Sequence, residues 1–212
     1  ATQITEFLLR QEVKLLIIAC NTMAAVAHQA VKDLSPVPVL DVIEAGAQTA
    51  VSHTRTKRIG VIGTMATINS NAYARAIHAL DPAIRIFSQA CPLFVPLVEE
   101  GWWDHEVTRL TAQEYLRPVL AEDIDALVLG CTHYPLLKAL LKDLVGPQIQ
   151  LVDSAEAMAS ITAGLLANQK LANPDHDIPT YRFYVTDVPL RFRHIGEHFL
   201  GRAMPNVQVV KL

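Results

Sequence analysis

Two cysteines follow apolar segments in nearly the same local context. LLIIACNT covers residues 15–22 and ALVLGCTH covers residues 126–133, so each apolar run is followed by a small residue, a cysteine and two polar residues. Cys20 and Cys131 therefore stand where two strands would end, which is where open parallel sheets bind ligands. Cys91 has no such polar sequel. We expect Cys91 to be a small residue of the core.

Two thiols on opposite sides of one carbon could perform two proton transfers. One thiolate would remove the α-proton of an amino acid, while the second thiol would deliver a proton to the opposite face and invert the centre. A free cysteine has a pKa of about 8.5, so forming the thiolate needs neighbouring donors. We expect Asn21, Thr22 and Thr132 to hydrogen-bond the thiolate or an α-carboxylate. We expect His133 to poise the second thiol or to bind substrate.

Other interpretations of these residues have less support. A cysteine in an apolar strand is usually only a core residue, but the matching contexts of Cys20 and Cys131 argue against coincidence. A cysteine–histidine hydrolase is disfavoured because Cys131 and His133 are too close in sequence for a spatially assembled pair. A zinc site is disfavoured because no other histidine has ligand spacing to a cysteine. We predict neither a metal nor a cofactor.

The segments around the cysteines predict an α/β fold with mostly parallel sheets. Short apolar runs alternate with longer segments of helical periodicity, as in βα units. The predicted strands are residues 15–19, 37–43, 58–63, 84–88, 125–129, 149–152, 181–185 and 207–210. The predicted helices are residues 22–34, 69–80, 106–120, 135–144 and 155–167. The polar, proline-containing segment 168–180 is expected to be an exposed connection.

Composition narrows the class of protein. With 212 residues and 51% hydrophobic composition, the chain suits one large or two small globular domains. A net charge of −3 leaves no basic surplus for nucleic acid as a primary partner. The apolar runs are shorter than the roughly 18 to 20 residues that cross a bilayer. An odd number of cysteines suits a reducing compartment. We therefore predict a cytoplasmic protein with a small-molecule substrate and no membrane partner.

Five segments together resemble the glutamate racemases of the aspartate/glutamate racemase superfamily. They are IIACNT, VIEAG, GTMATINSNAY, PLVEEGW and LGCTHYPLL, and the resemblance runs in order from about residue 1 to residue 167. It implies cofactor-independent interconversion of L- and D-glutamate, which supplies D-glutamate for bacterial peptidoglycan. A racemase of another acidic amino acid, such as aspartate, is an alternative. A truncated, inactive chain that only binds a ligand or a protein is another.

The resemblance also implies roles for individual residues. Cys20 would handle the α-proton of the D-enantiomer, and Cys131 would handle that of the L-enantiomer. The residues that would contact glutamate are Asn21, Thr22, Thr132 and His133. Glu44, in VIEAG, would lie near the second cysteine and take part in catalysis, and a solvated carboxylate at a helix start is the alternative.

The implied architecture is two pseudo-symmetric α/β domains with glutamate in the cleft between them. The first would combine residues 1–42 with 152–212, and the second would be residues 43–151. Family members begin with a strand ending in Asp-Ser-Gly, later followed by Pro-Tyr-Gly, and neither motif occurs in this sequence. We therefore expect this sequence to begin inside the first domain, and a chain that started at Ala1 to be impaired. The oligomeric state is open, with a homodimer as one option.

Overall fold

The computed structural model describes residues 1–173 and 179–212. The strands are β1 (Leu16–Ile18), β2 (Val39–Asp41), β3 (Arg58–Gly63), β4 (Arg85–Ala90), β5 (Ala126–Gly130), β6 (Gln150–Val152), β7 (Phe183–Val185) and β8 (Val207–Val209). The helices are α1 (Thr2–Leu9), α2 (Asn21–Leu34), α3 (Val42–His53), α4 (Met65–Asn69), α5 (Ala72–Leu80), α6 (Phe94–Glu99), α7 (Glu106–Leu120), α8 (Lys138–Val145), α9 (Ser154–Asn168) and α10 (Pro189–Leu200). A 3-10 turn, Tyr134–Leu137, precedes α8.

The described strands pair in parallel in separate sheets. The largest sheet has the order β4-β3-β5-β6, while β1 pairs with β2 and β7 pairs with β8. The predicted α/β fold with parallel sheets is confirmed. Strands β1 and β5, which precede the two cysteines, belong to different sheets. Residues from two distant parts of the chain therefore stand at the carboxyl ends of two separate sheets. The proposed boundaries at residues 42 and 151 stay a prediction.

Helices cover both faces of the largest sheet. One face packs a cluster that includes Phe94, Leu116 and Leu129, and the other packs a cluster that includes Ile77 and Val128. Every residue of β5 is buried. Uninterrupted apolar strands of this kind are typical of parallel sheets with two covered faces. This packing fixes the end of β5, and with it the start of the segment that carries the second cysteine.

Side-chain caps begin the helices at the carboxyl ends of several strands. Asp41 ends β2, and its Oδ1 accepts hydrogen bonds from the main-chain N–H groups of Ile43 at 2.8 Å and Glu44 at 3.1 Å. Asp153 accepts from Ala155 N–H at 3.0 Å where α9 begins. These side chains occupy donors that the first turn of a helix leaves without an intrahelical partner. The strand-to-helix turns after β2 and β6, the strands that pair with β1 and β5, are therefore held by local hydrogen bonds.

The structure also contains helices that the sequence analysis missed. The strand predicted at 37–43 ends at Asp41, because that residue caps α3. The first half of α3 is buried almost all round, so it lacks the polar face that marks an amphipathic helix. Helices α6 and α10 were missed too, and each carries a proline near its first turn. Part of the predicted connection at 168–180, residues 174–178, lies outside the described residues.

Candidate active site

The two cysteines with matching contexts stand at the carboxyl ends of β1 and β5. Cys20 is the N-cap residue of α2 and is exposed, whereas Cys131 directly follows β5 and is buried. The two thiols are close enough for the charge of a Cys20 thiolate to raise the pKa of Cys131. The structure thus brings together two nucleophilic groups that the sequence separates widely. Cys91 is fully buried in the core, as expected.

Burial dominates the chemistry of Cys131. It raises the pKa of this thiol to about 11, and the negative charges of Cys20 and Glu99 act in the same direction. Hydrogen bonds from the main-chain N–H groups of His133 and Tyr134 stabilise the thiolate and partly oppose the shift. At neutral pH the free protein therefore holds Cys131 as a thiol, which is the form that donates a proton.

Cys131 contacts a histidine, which in turn contacts a carboxylate. His133 Nδ1 lies 3.7 Å from Cys131 Sγ, and His133 Nε2 lies 3.2 Å from Glu99 Oε1. Glu99 is the last residue of α6. Glu99 stands within the segment PLVEEGW, which carries part of the family resemblance, but its pairing with His133 was not predicted from the sequence. The position of Glu99 in that segment does not indicate that its carboxylate lies beside the His133 ring.

Glu44 does not occupy the place expected for it. It is exposed on the first turn of α3, and its carboxylate oxygen lies within 4.8 Å of the ligand atoms of His28 and Asp41. The carboxylate that pairs with His133 and acts on Cys131 is Glu99. The catalytic part expected for Glu44 stays a prediction, and the contacts described for Glu44 are those at the exposed start of α3.

The side chains of His28, Asp41 and Glu44 form a set that could hold a metal ion. However, Asp41 is already engaged: it caps α3 and pairs with His28 Nδ1. The cluster therefore has a structural explanation in the helix cap and the histidine–aspartate pair.

Asn21 is held by a tyrosine from another part of the chain. Tyr73 Oη donates a 2.6 Å hydrogen bond to Asn21 Oδ1, and both side chains are buried. Burial, followed by the charge of Asp41, raises the pKa of Tyr73 above its ordinary value. Tyr73 therefore remains a neutral donor, and its bond leaves the Asn21 amide NH2 group available on the side of the cleft. Tyr73 is a second site residue that the sequence analysis missed.

The two predicted threonines have different surroundings. Thr132 is exposed and lines the cleft beside Cys131. Thr22 Oγ1 instead lies 2.9 Å from Thr64 Oγ1 and 3.2 Å from Thr67 Oγ1. This hydroxyl cluster ties the start of α2 to the turn between β3 and α4. The structure thus gives Thr22 a positioning contact and does not place it in the cleft lining.

A cleft of about 1330 Å³ opens beside Cys131, and its lining includes Ala19 and Asn21, the two residues that flank Cys20. Its polar end, on the side of Cys131, is formed by Ala19, Asn21, Glu99, Cys131, Thr132, His133, Asp153 and Ser154. The remainder runs between α9 and α10 and is mainly apolar, with Met158, Leu166, Phe192 and Phe199 among its walls. Helix α2 begins at this polar end, and helix N-termini present N–H donors and positive potential to anions. The polar end therefore suits a ligand with a small carboxylate group.

Comparisons with known proteins agree with this chemistry. Residues 1–162 match the family described as Asp/Glu/Hydantoin racemase. A glutamate racemase of Syntrophus aciditrophicus is 76% identical over 212 residues, which is 100% of this chain and 78% of that protein. A glutamate racemase of Neisseria meningitidis is 56% identical over 211 residues, covering 99% of this chain and 78% of that protein.

Solved structures show the same similarity in three dimensions. The crystal structure of a glutamate racemase from Francisella tularensis in complex with D-glutamate has a TM-score of 0.91 and 42% identity, covering 99% of this chain and 78% of that one. A glutamate racemase isoform from Bacillus anthracis has a TM-score of 0.95 and 37% identity, covering 100% of this chain and 79% of that one. The two-domain arrangement expected from the sequence is consistent with these neighbours.

Proposed function

Since the chain belongs to the Asp/Glu/Hydantoin racemase family, we propose that it interconverts L- and D-glutamate through two cysteine thiols, without a cofactor. The observation that carries this proposal is the placement of Cys20 and Cys131 at the ends of strands from two sheets, within electrostatic reach of each other. The similarity to glutamate racemases along the whole chain supports glutamate as the substrate.

The proton transfers balance over one turnover. With D-glutamate, the Cys20 thiolate takes the α-proton and becomes a thiol, and the electron pair of the C–H bond passes to the carbanion. The Cys131 thiol then gives its proton to the opposite face and becomes a thiolate, which yields L-glutamate. With L-glutamate the roles are exchanged. The raised pKa of Cys131, about 11, supports its protonated state in the first direction.

In the reverse direction, Cys131 must lose its proton. The α-ammonium group of a bound amino acid is a positive charge, and a nearby positive charge favours the thiolate. The N–H groups of His133 and Tyr134 favour it further. Negative charge that builds up on the substrate carboxylate would be stabilised by the start of α2, by the Asn21 amide and by Thr132.

We infer that the cleft lies between two structural units, one of residues 1–42 with 152–212 and one of residues 43–151. The separation of the β1–β2 sheet from the four-stranded sheet supports this division. Each unit would then supply one cysteine. Closure of the units around glutamate would exclude water and protect the carbanion.

We also infer a place in the cell for this reaction. Free cysteines Cys20, Cys91 and Cys131 support a reducing, cytoplasmic location. None of the helices in the described ranges, 1–173 and 179–212, is both long and apolar enough to cross a membrane. D-glutamate made there would serve bacterial peptidoglycan synthesis, which is the role of the family. A homodimer stays a prediction that sedimentation equilibrium would test.

The proposal is tested by incubating the protein with L-glutamate or D-glutamate in deuterated water. Circular dichroism follows the loss of optical activity, and proton NMR follows deuterium entry at Cα. We expect both enantiomers to reach a racemic, Cα-deuterated mixture. A parallel incubation with aspartate tests the alternative substrate. Faster exchange of aspartate, or glutamate binding by calorimetry without exchange at Cα, would contradict the proposal.

A further inference from the structure

Arg191, on α10, contacts the carboxylate that stands behind His133. Its Nη2 lies 2.9 Å from Glu99 Oε2 and 3.3 Å from Glu100 Oε1. We propose that Arg191 is a positioning residue for the proton transfer at Cys131, acting through Glu99 and His133. This inference rests on the proposed function, because it assigns a part in that reaction to a residue outside the pair of cysteines.

The two oxygens of Glu99 have separate partners. Arg191 holds Oε2, while Oε1 lies 3.2 Å from His133 Nε2. A carboxylate held at one oxygen cannot rotate freely about its last bond, so the other oxygen stays directed at the imidazole. An ionised carboxylate only accepts hydrogen bonds, so it selects the imidazole tautomer with the proton on Nε2.

The tautomer of His133 determines whether Nδ1 faces the Cys131 sulfur as an acceptor or as a donor. With its proton on Nε2, the neutral ring presents the lone pair of Nδ1 to the sulfur 3.7 Å away. The thiol can then donate its proton to Nδ1. The thiolate that remains faces an N–H donor and not the Nδ1 lone pair. Loss of the Arg191 contact would leave the Glu99 carboxylate free to rotate. The His133 ring would then lose the orientation that proton transfer at Cys131 needs.

A second contact fixes α10 beside α6. The ring of His198 stacks on that of Trp103, with centroids 3.6 Å apart and an angle of 18° between the planes. Trp103 Nε1 in turn donates to Val98 O, within α6, at 3.0 Å. Helix α10 therefore touches the α6 region through the stacked rings as well as through Arg191. In the proposed division, α10 belongs to the unit of Cys20 and α6 to the unit of Cys131.

This location predicts a catalytic effect with little effect on folding. The Arg191 side chain is 58% exposed, and exposed ion pairs contribute little to stability. Small errors in the placement of catalytic groups, by contrast, can lower rates by as much as about 100-fold. A variant at Arg191 should therefore fold normally and act more slowly.

The experiment compares Arg191→Met, Arg191→Lys and Glu100→Gln in the full protein. Glu100→Gln is the matched control, since it removes the other ion pair of Arg191 and keeps the contact with Glu99. Steady-state kinetics give kcat and KM, and α-deuterated D- and L-glutamate give the isotope effect on kcat/KM from each side. The 15N chemical shifts of the His133 ring, measured without substrate, report its tautomer.

We expect Arg191→Met to lower kcat about 10-fold with KM changed less than about twofold. The isotope effect should rise for L-glutamate, whose α-proton Cys131 removes, and fall for D-glutamate, because the Cys131 step becomes more rate-limiting. A general loss of folded protein would not move the two isotope effects in opposite directions. The His133 15N shifts should change as well, Arg191→Lys should recover part of each effect, and Glu100→Gln should match the unaltered protein.

Arg191→Met with unaltered isotope effects and unaltered His133 15N shifts would overturn the inference. Failure of the proposed function has a different signature, in which the unaltered protein exchanges no α-proton of glutamate. The NMR comparison separates the two failures: changed His133 shifts in Arg191→Met show that Arg191 orients the ring whatever reaction the site performs, and unchanged shifts overturn the inference.

Discussion

Tyr73 and Asn21 are joined by a 2.6 Å hydrogen bond that connects α5 to the first turn of α2. The bond links the sheet of β5 to the turn that carries Cys20, because Asn21 directly follows that cysteine. Since the phenol donates to Oδ1, the amide can present its NH2 group to a ligand. A buried tyrosine thereby fixes the orientation of a polar group that we propose contacts the substrate.

Tyr73→Phe should remove this control of the amide. The variant leaves Asn21 Oδ1 buried without its donor, so we expect a loss of about 1–2 kcal/mol in the free energy of unfolding. We expect kcat/KM for glutamate to fall about 10-fold because the amide can turn its oxygen to the substrate carboxylate. Urea unfolding and racemisation assays measure the two effects.

Tyr115→Phe is the matched control for this prediction. Tyr115 is half-buried, and its hydroxyl makes only a long, 3.4 Å contact with Leu93 N–H, away from the cleft lining. Its loss should leave kcat/KM within about twofold of the unaltered value. Equal kcat/KM values for the two variants would show that Tyr73 does not orient Asn21.

Replacing either cysteine should affect the two enantiomers unequally. Cys20→Ser should slow α-proton exchange of D-glutamate by about 100-fold or more, while exchange of L-glutamate at Cys131 persists. Cys131→Ser should show the reverse bias. Exchange is measured by NMR in deuterated water at early times, with Cys91→Ser as the control. Mild and equal losses for both enantiomers would rule out one base on each face.

The three thiols should differ in how their rates of alkylation by iodoacetamide depend on pH. The pKa of Cys131 is raised to about 11, so its alkylation should increase about tenfold per pH unit between pH 8 and pH 10. Exposed Cys20 should react first at neutral pH. Cys91, whose pKa burial raises to about 12, serves as the slow internal reference. Peptide mass spectrometry measures each rate, and fast, pH-independent labelling of Cys131 would contradict this environment.

The sequence could predict those parts of the site that a continuous segment determines. The strands that end before Cys20 and Cys131 are visible because each is an apolar run of strand length, followed at once by polar residues. Their parallel pairing follows from the alternation with helices. The dominant features of the fold were therefore predictable from local pattern alone.

The remaining site residues depend on contacts between distant segments. Glu99 meets His133 only because α6 packs against the 3-10 turn that follows β5. Tyr73 meets Asn21 only because α5 packs on α3, which lies beside α2. Glu44 had equally suitable chemistry for a place beside a cysteine, yet the cap at Asp41 directs it into the exposed first turn of α3. Residue type and motif cannot distinguish these outcomes, since side-chain direction is set by helix packing.

Asp125 should control the acid stability of the sheet that positions Cys131. Its Oδ1 accepts from Thr54 Oγ1 at 2.6 Å, and its Oδ2 accepts from the N–H groups of Arg55 at 2.6 Å and Thr56 at 2.7 Å. Burial alone would raise the pKa of Asp125, but these hydrogen bonds outweigh it and lower the pKa below its ordinary value. The carboxylate stands directly before β5, so it ties the loop before β3 to the start of the cysteine-bearing strand.

A carboxyl group with a lowered pKa in the folded state stabilises the protein above its unfolded pKa, which is about 3.9. This stabilisation is lost as the pH falls through the lower, folded value. Asp125→Asn should therefore cost about 1 kcal/mol in the free energy of unfolding at pH 7, a modest figure because solvent screens the partly exposed group. Urea unfolding at pH 7 and pH 3 should show the difference between variant and unaltered protein shrinking at the lower pH. The exposed residue Asp104 supplies the control Asp104→Asn. If the difference in the free energy of unfolding between Asp125→Asn and the unaltered protein were the same at both pH values, the charge of Asp125 would not be the source of its effect on stability.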